Sequence, residues 1–159
     1  MSREAYESAL DKNPANYTPL SPLSYIERTK DVYPDYNSLI YGSRSYTWKQ
    51  TYKRCVQFAS ALSKAGIVQG DTVSVMAANT PELFEAHFGV PMSGAVLSAL
   101  NTRLDADIIA YILDHSDSKI LITDTQFSPV LKKALAILDR DDLTIIDIVD
   151  EQAEFNPGE

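Results

Sequence analysis

Residues 68–104, VQGDTVSVMAANTPELFEAHFGVPMSGAVLSALNTRL, hold a complete strand, helix and strand with turn chemistry at each joint, and no other stretch constrains the fold as strongly. Gly70-Asp71 turns the chain into the apolar run 72–77, which is too short for a helix and rich enough in Val to be a buried strand. Asn79-Thr80-Pro81-Glu82 then starts a helix. Thr80 can cap the free backbone N–H groups, Pro81 fits a position where no N–H is needed, and Glu82 faces the positive end of the helix dipole. The helix is expected to end near Ser93-Gly94, and the apolar run 95–100 supplies a second strand. Two strands joined by a helical crossover lie parallel in one sheet.

The rest of the chain extends this pattern. A short helix is expected over 2–10, with an extended stretch around Pro14 and Pro19. Ser21-Pro22 opens a helix that carries Leu23 and Ile26 on one face and stops before Pro34. The runs 38–41 and 44–47 read as two short strands around a Gly42-Ser43 turn. Thr47 and Gln50 have capping-box spacing, and the following helix places Trp48, Tyr52, Cys55, Ala59 and Leu62 on one apolar stripe that Gly66 ends. Asp105 caps a helix with Ile108, Ile109, Ile112 and Leu113, the run 119–123 is a strand, Ser128-Pro129 repeats the cap-then-proline device, and 144–149 is a last strand. The alternation predicts an α/β fold: a doubly wound, mostly parallel sheet with helices on both faces, preceded by a short helical and hairpin region.

The opening unit, with Asn101-Thr102-Arg103-Leu104 and the stretch from Ile108 to Ser116, resembles the AMP-forming acyl-CoA synthetases, and among them the medium- and long-chain fatty-acyl type. The likeness runs from Tyr17-Thr18-Pro19-Leu20 through Tyr46-Thr47-Trp48 to Leu121-Ile122-Thr123-Asp124, and is most specific in Ala86-His87-Phe88-Gly89-Val90-Pro91-Met92 and Ala99 to Leu104. It implies an enzyme that activates a carboxylic acid with ATP and Mg to an acyl adenylate and transfers the acyl group to CoA. The family signature is a Ser/Thr/Gly-rich loop ending in Pro-Lys-Gly, which holds the ATP phosphates. In this sequence the glycines stand apart at 42, 66, 70, 89, 94 and 158, whereas a phosphate cradle needs them clustered so that successive N–H groups converge on one anion.

The expectation is therefore an N-terminal fragment of a fatty-acid–CoA ligase, with 1–150 a partial subdomain and 151–159 an acidic loop or truncated linker. Such a piece gives scaffold and part of the acyl and CoA entrance, is not catalytic alone, and binds none of ATP, CoA or Mg tightly. Its partners would be the remainder of the ligase, in cis or in trans, and the acid substrate, with self-association where the sheet is left uncovered. The alternative is a free-standing α/β binding or interaction module derived from the family.

Composition narrows the rest. A formal charge of −8 argues against nucleic acid, whose binding draws on clustered Lys and Arg. The single cysteine, Cys55, allows no internal disulfide and fits a reducing compartment, and no apolar run approaches the ~20 residues that span a bilayer. A cytoplasmic protein is expected.

Few residues are placed to carry chemistry, and no catalytic or metal-ligating residue is assigned. Arg103 follows a strand end, where ligands of open α/β sheets collect, and the resemblance puts it on the side where CoA enters. A guanidinium can grip phosphate in a fork, although an ion pair with Asp105 or Asp107 would serve structure alone. His87 lies beside Phe84 and Phe88 and either packs or lines an acyl channel. His115 suits a helix C-terminus, and Cys55 sits on a core stripe. Asp124 ends a strand, but the phospho-acceptor of a receiver domain would need a pair of acids where this chain has Ala77-Ala78-Asn79.

Overall fold

A computed structural model describes residues 21–150. The helix expected at 2–10, the extended stretch after it and the acidic tail 151–159 lie outside the described residues. The described residues begin with α1 (Pro22–Val32), where the Ser21 side chain accepts from the Leu23 N–H, and continue into an antiparallel hairpin of β1 (Asn37–Tyr41) and β2 (Arg44–Thr47). Gly42 takes a φ of 54° at the hairpin turn, a conformation that costs a residue without a Cβ little. Then come α2 (Trp48–Lys64), β3 (Thr72–Met76), α3 (Pro81–Met92), β4 (Val96–Ala99), α4 (Ala106–His115), β5 (Ser118–Asp124), a single 3₁₀ turn (Thr125–Phe127), α5 (Ser128–Leu138) and β6 (Thr144–Ile148).

The caps form as their spacing implies. Thr47 accepts from the Gln50 N–H while the Gln50 side chain accepts from the Thr47 N–H, a reciprocal box that fixes the start of α2. Thr80 accepts from Leu83 at the start of α3, and Asp105 accepts from Ile108 at the start of α4. Each satisfies an N–H that the helix itself cannot.

β4, β3, β5 and β6 form one sheet in that order, every neighbouring pair parallel. Successive side chains of a strand alternate between faces, so β5 sends Ile120 and Ile122 to one side and Leu121 to the other. The first side is covered by α2 and α3 through Leu62, Ala86 and Val90 against Val73 and Val75. The second is covered by α4 and α5 through Ile109, Leu113, Leu131 and Ala134 against Met76 and Leu121. This is the doubly wound sheet that the alternation of elements predicts. Among the described residues no helix is long and apolar enough to cross a membrane.

Two local expectations need correction. Trp48 and Tyr52 are only half-buried, and the residues of α2 that reach the core are Thr51, Cys55, Ala59 and Leu62. The apolar arc of α2 is wider than one stripe because it serves two neighbours: the buried row meets α3 and the sheet, while Tyr52 faces α1, with the Lys30 ammonium 5.0 Å from its ring. The backbone at Trp48 is pinned instead, its N–H bonding to the Tyr36 carbonyl at 3.0 Å. At α5, Ser128 is the first helical residue and no cap; its hydroxyl donates to the Thr125 carbonyl at 2.7 Å. The capping role falls to Asp124, whose carboxylate accepts from the Gln126 N–H and side chain, because the 3₁₀ turn runs directly into the helix.

β6 is the sheet's edge on one side. Its Ile145 and Ile146 are 46% and 39% exposed, and Val149 just beyond is 66% exposed, while Ile148 is buried. A strand this apolar has the composition of one covered on both faces, and among the described residues the cover stops short of Ile145 and Ile146.

Candidate functional site

In this topology the sheet reverses its winding between β3 and β5: β4 lies to one side of β3, and β5 and β6 lie to the other. The carboxyl ends of strands at such a reversal form the usual ligand crevice of an open α/β sheet. Here the chain's own hairpin reaches into that end. Arg44 donates to Glu82 Oε1 at 3.0 Å and lies 3.7 Å from Asp150 Oδ1, so it bridges the segments leaving β3 and β6, with β5 between them in the sheet. The Tyr41 hydroxyl donates to Asp150 Oδ2, and the Arg44 guanidinium stacks over the Tyr41 ring at 5.2 Å.

The hydrogen bond to Asp150, with burial, pushes the Tyr41 phenol above its ordinary range. Burial alone would lower the Arg44 guanidinium, but the Glu82 carboxylate, Tyr46 and Asp150 together raise it by more. Arg44 Nε, Arg44 Nη2 and Glu82 Oε2 are nevertheless buried with no hydrogen-bond partner. A second ion pair sits one turn further along α3: Arg54 grips Glu85 through both Nε and Nη2, the latter at 3.0 Å, and stacks over Tyr46 at 4.8 Å. Glu85 is 7% exposed. Its carboxylate holds Arg54 above the usual range.

Of these charges only Glu82 stood out in the sequence, as the acid at the start of α3, and none for its ion pair. A signal was present: Glu82, Glu85 and Gly89 follow helical spacing on α3 together with buried Ala86, so two acids lie at the edge of a core face.

The residues that were singled out are spread over the surface and the core. Arg103 lies just past β4, exposed, its N–H bonded to Asn101 Oδ1 at 2.9 Å. Its guanidinium makes no ion pair among the described residues, with Asp105 and Asp107 included. His87 is exposed, with Nδ1 bonded to the Leu83 carbonyl at 2.8 Å. It borders an apolar hollow of about 500 Å³ with Leu39, Leu83, Phe84 and Phe88, the two phenyl rings meeting edge to face at 5.4 Å. No hydrogen bond joins Arg103 to His87 among the described residues. His115 closes α4, stacked on Tyr111 with rings 5.5 Å apart.

Cys55 is fully buried, and burial followed by the nearby Glu85 charge pushes its thiol up to about 12. At pH 8 that leaves a thiolate population roughly 10³-fold below that of an exposed cysteine. An aromatic disulfide reagent should therefore modify native Cys55 at least 10³-fold more slowly than the urea-unfolded chain, with the rate following unfolding. Rapid native modification would show that the α2–α3 seam opens.

The described residues contain no group of three or more His, Cys, Asp or Glu placed to hold a metal. Gly42, Gly66, Gly70 and Gly94 take positive φ in separate turns, so none combines with another into a phosphate cradle. Residues 21–150 thus form neither a three-ligand metal group nor a glycine phosphate cradle, and no catalytic step is assigned to them.

Comparison with known proteins accounts for this arrangement. Residues 26–158 match the AMP-binding enzyme family. The chain is 52% identical over 129 residues to an acetate–CoA ligase of Humulus lupulus, covering 81% of this chain and 23% of that protein. It is 47% identical over 130 residues to a peroxisomal acetate/butyrate–CoA ligase of Arabidopsis thaliana, covering 82% and 23%. A solved anthranilate–CoA ligase in complex with anthranoyl-AMP superposes with a TM-score of 0.76 at 25% identity, covering 82% of this chain and 26% of that one. The chain thus spans about a quarter of the length of the relatives it matches. With a family match that takes in both the hairpin and every strand of the sheet, the chain belongs to the AMP-binding enzymes, the adenylate-forming family of the acyl- and aryl-CoA ligases.

Proposed function

We propose that this chain is the N-terminal scaffold of an AMP-forming acid–CoA ligase, spanning 1–150 with 151–159 leading onward, and that it supplies one wall of the acyl and CoA entrance. The observation that carries the reading is the family match over 26–158 in a chain covering 23% of the acetate–CoA ligase it resembles. ATP, Mg and CoA are then reactants of the whole enzyme, with the phosphate-holding loop contributed from outside residues 21–150. For the acid, the substrates in the relatives' names, acetate, butyrate, benzoate and trans-cinnamate, favour a small aliphatic or aromatic acid over the medium- or long-chain fatty acid that the resemblance implied. The reducing compartment suggested by a lone buried cysteine fits the cytoplasm, and it fits equally the peroxisome named for the Arabidopsis relative.

The test compares this chain with the longest polypeptide translated from its gene. Acid-dependent exchange of pyrophosphate into ATP and formation of acyl-CoA are expected from the longer product with at least one of acetate, butyrate, benzoate and trans-cinnamate, and not from residues 1–159. Exchange by the short chain above a heat-killed control would overturn the scaffold reading.

Arg103 is proposed to contact a CoA phosphate, a role supported by its exposure past β4 and by a guanidinium with no ion-pair partner among the described residues. A hydrogen bond to a charged group is worth about 1.5–3 kcal/mol, so Arg103→Ala in the longer polypeptide should raise KM for CoA roughly 10- to 100-fold. Pyrophosphate exchange, which needs no CoA, should stay unchanged. Equal loss in both half-reactions would assign Arg103 to structure.

A further inference from the structure

Among the described residues β6 pairs with β5 alone. Ladder bonds to one neighbour set the register of such a strand, and the direction in which the chain leaves it is then set by contacts made just past its end. Asp150, two residues past β6, is 8% exposed and makes such contacts with the hairpin. Its Oδ2 accepts from the Tyr41 hydroxyl, and its Oδ1 lies 3.7 Å from the Arg44 guanidinium. Tyr41 and Arg44 are a cross-strand pair on either side of the Gly42-Ser43 turn, so a single tight turn presents both groups to the exit of β6.

The turn is itself anchored elsewhere. Arg44 Nη1 donates to Glu82 Oε1 at 3.0 Å, and Glu82 belongs to the first turn of α3, which the Thr80 cap and Pro81 hold in place at the exit of β3. Asp124, the last residue of β5, is close enough for its charge to act on Tyr41. The tip of the hairpin thus ties together the carboxyl ends of β3, β5 and β6, the end of an open α/β sheet at which ligands collect. As a device for stability alone the cluster is poorly built. Arg44 Nε and Nη2 and Glu82 Oε2 are buried without hydrogen-bond partners, an arrangement that folded proteins retain mainly where geometry serves function.

We propose that Tyr41, braced by Arg44, is a positioning residue of the ligase reaction: through Asp150 it fixes the direction in which the chain leaves β6, and so the placement of the ATP-holding residues that follow. The inference rests on the ligase reading, under which the phosphate-holding loop comes from outside residues 21–150. Tyr41 touches no reactant in this scheme. It acts through one hydrogen bond on the path of the backbone, and reacting groups displaced by about 1 Å can lose roughly 10²-fold in rate.

The test is Tyr41→Phe in the longest polypeptide translated from the gene. The variant loses one hydroxyl and keeps Arg44 on both carboxylates, so it should fold. The burst of pyrophosphate released with acid and ATP, without CoA, counts active sites, and acid-dependent pyrophosphate exchange then gives the rate per site. The count is expected to stay unchanged and the melting temperature to move by no more than about 2 °C, while the rate per site falls about tenfold. In an Asp150→Ala background, where the bond is already gone, adding Tyr41→Phe should change the rate per site by less than about twofold. An unchanged rate per site in the single variant overturns the proposal. So does a loss of active sites in step with melting temperature at constant rate per site, which is the mark of a purely structural tyrosine, and so does an equal tenfold fall in the Asp150→Ala background. The unsubstituted polypeptide separates the two readings. If it is active and Tyr41→Phe matches it, the positioning role is rejected and the ligase stands, whereas inactivity with every acid tested rejects the ligase and the positioning role with it.

Discussion

Gly89→Val is expected to destabilise the chain by about 3 kcal/mol, at the upper end of what overpacking usually costs. Gly89 lies on the face of α3 that meets α2, and a Cβ built there would stand 2.5 Å from Phe58 Cδ1 and 3.2 Å from the Cys55 carbonyl oxygen. The phenyl ring can rotate away. The carbonyl cannot, because it belongs to the α2 backbone, so the helices themselves must separate. Gly89→Ala should cost less, about 1–2 kcal/mol, and much of that should vanish in a Phe58→Ala background, where the Cδ1 clash is gone and only the 3.2 Å contacts with the Cys55 carbonyl oxygen and the residue-58 Cβ remain. Urea unfolding of the two single variants and the double variant measures this coupling directly. Additive costs within about 0.3 kcal/mol would mean that α2 and α3 do not approach as closely as described.

Arg54→Ala is expected to cost about 2–3 kcal/mol. Removing one partner of a buried ion pair typically costs 3–5 kcal/mol because the other charge is left uncompensated. The Arg54 side chain is 38% exposed, so water can reach part of the site, and the expectation is set below that range. Arg54→Lys should recover less than half of the loss, since an ammonium cannot reproduce the two-pronged grip on Glu85 or the stacking on Tyr46. Replacing both partners by apolar residues, Arg54→Met with Glu85→Leu, should be milder than Arg54→Ala alone. Thermal and urea unfolding of these variants decide the matter. A double variant as damaged as the sum of its parts would show that the pair holds the α2–α3 seam by more than mutual neutralisation.

Both predictions concern one seam, and this seam also forms a wall of a groove beside β6. Its geometry was not legible in the sequence. Apolar spacing located α2 and α3 but did not tell which residues of each helix face the other, and so Trp48 was expected in a row that Thr51 occupies. Periodicity reports that a helix has an apolar arc. When the arc serves two neighbours, as α2 serves α1 and α3, the choice of residue for each depends on contacts that no local spacing encodes.

The candidate site divides in the same way. Arg103 was visible as a residue past a strand end, since strand ends can be read locally. The Arg44, Glu82 and Asp150 cluster was not, because Arg44 and Glu82 are separated by 38 positions and Tyr41 and Asp150 by 109. Such groups meet only after the hairpin has folded against the carboxyl end of the sheet.

What the sequence determined by itself was whatever rests on interactions within a few residues. That includes the capping box at Thr47, the Thr80 and Asp105 caps, the hairpin turn at Gly42, and the strand–helix alternation that requires a parallel sheet. Kinship was also legible, because those local devices recur with family-specific residues between them along most of the chain. Tertiary structure alone decided the order β4-β3-β5-β6, the partners of the buried charges and the exposure of Ile145 and Ile146 on β6. Each of these depends on surfaces distant in sequence competing for burial, and that competition is settled by the packing of whole elements.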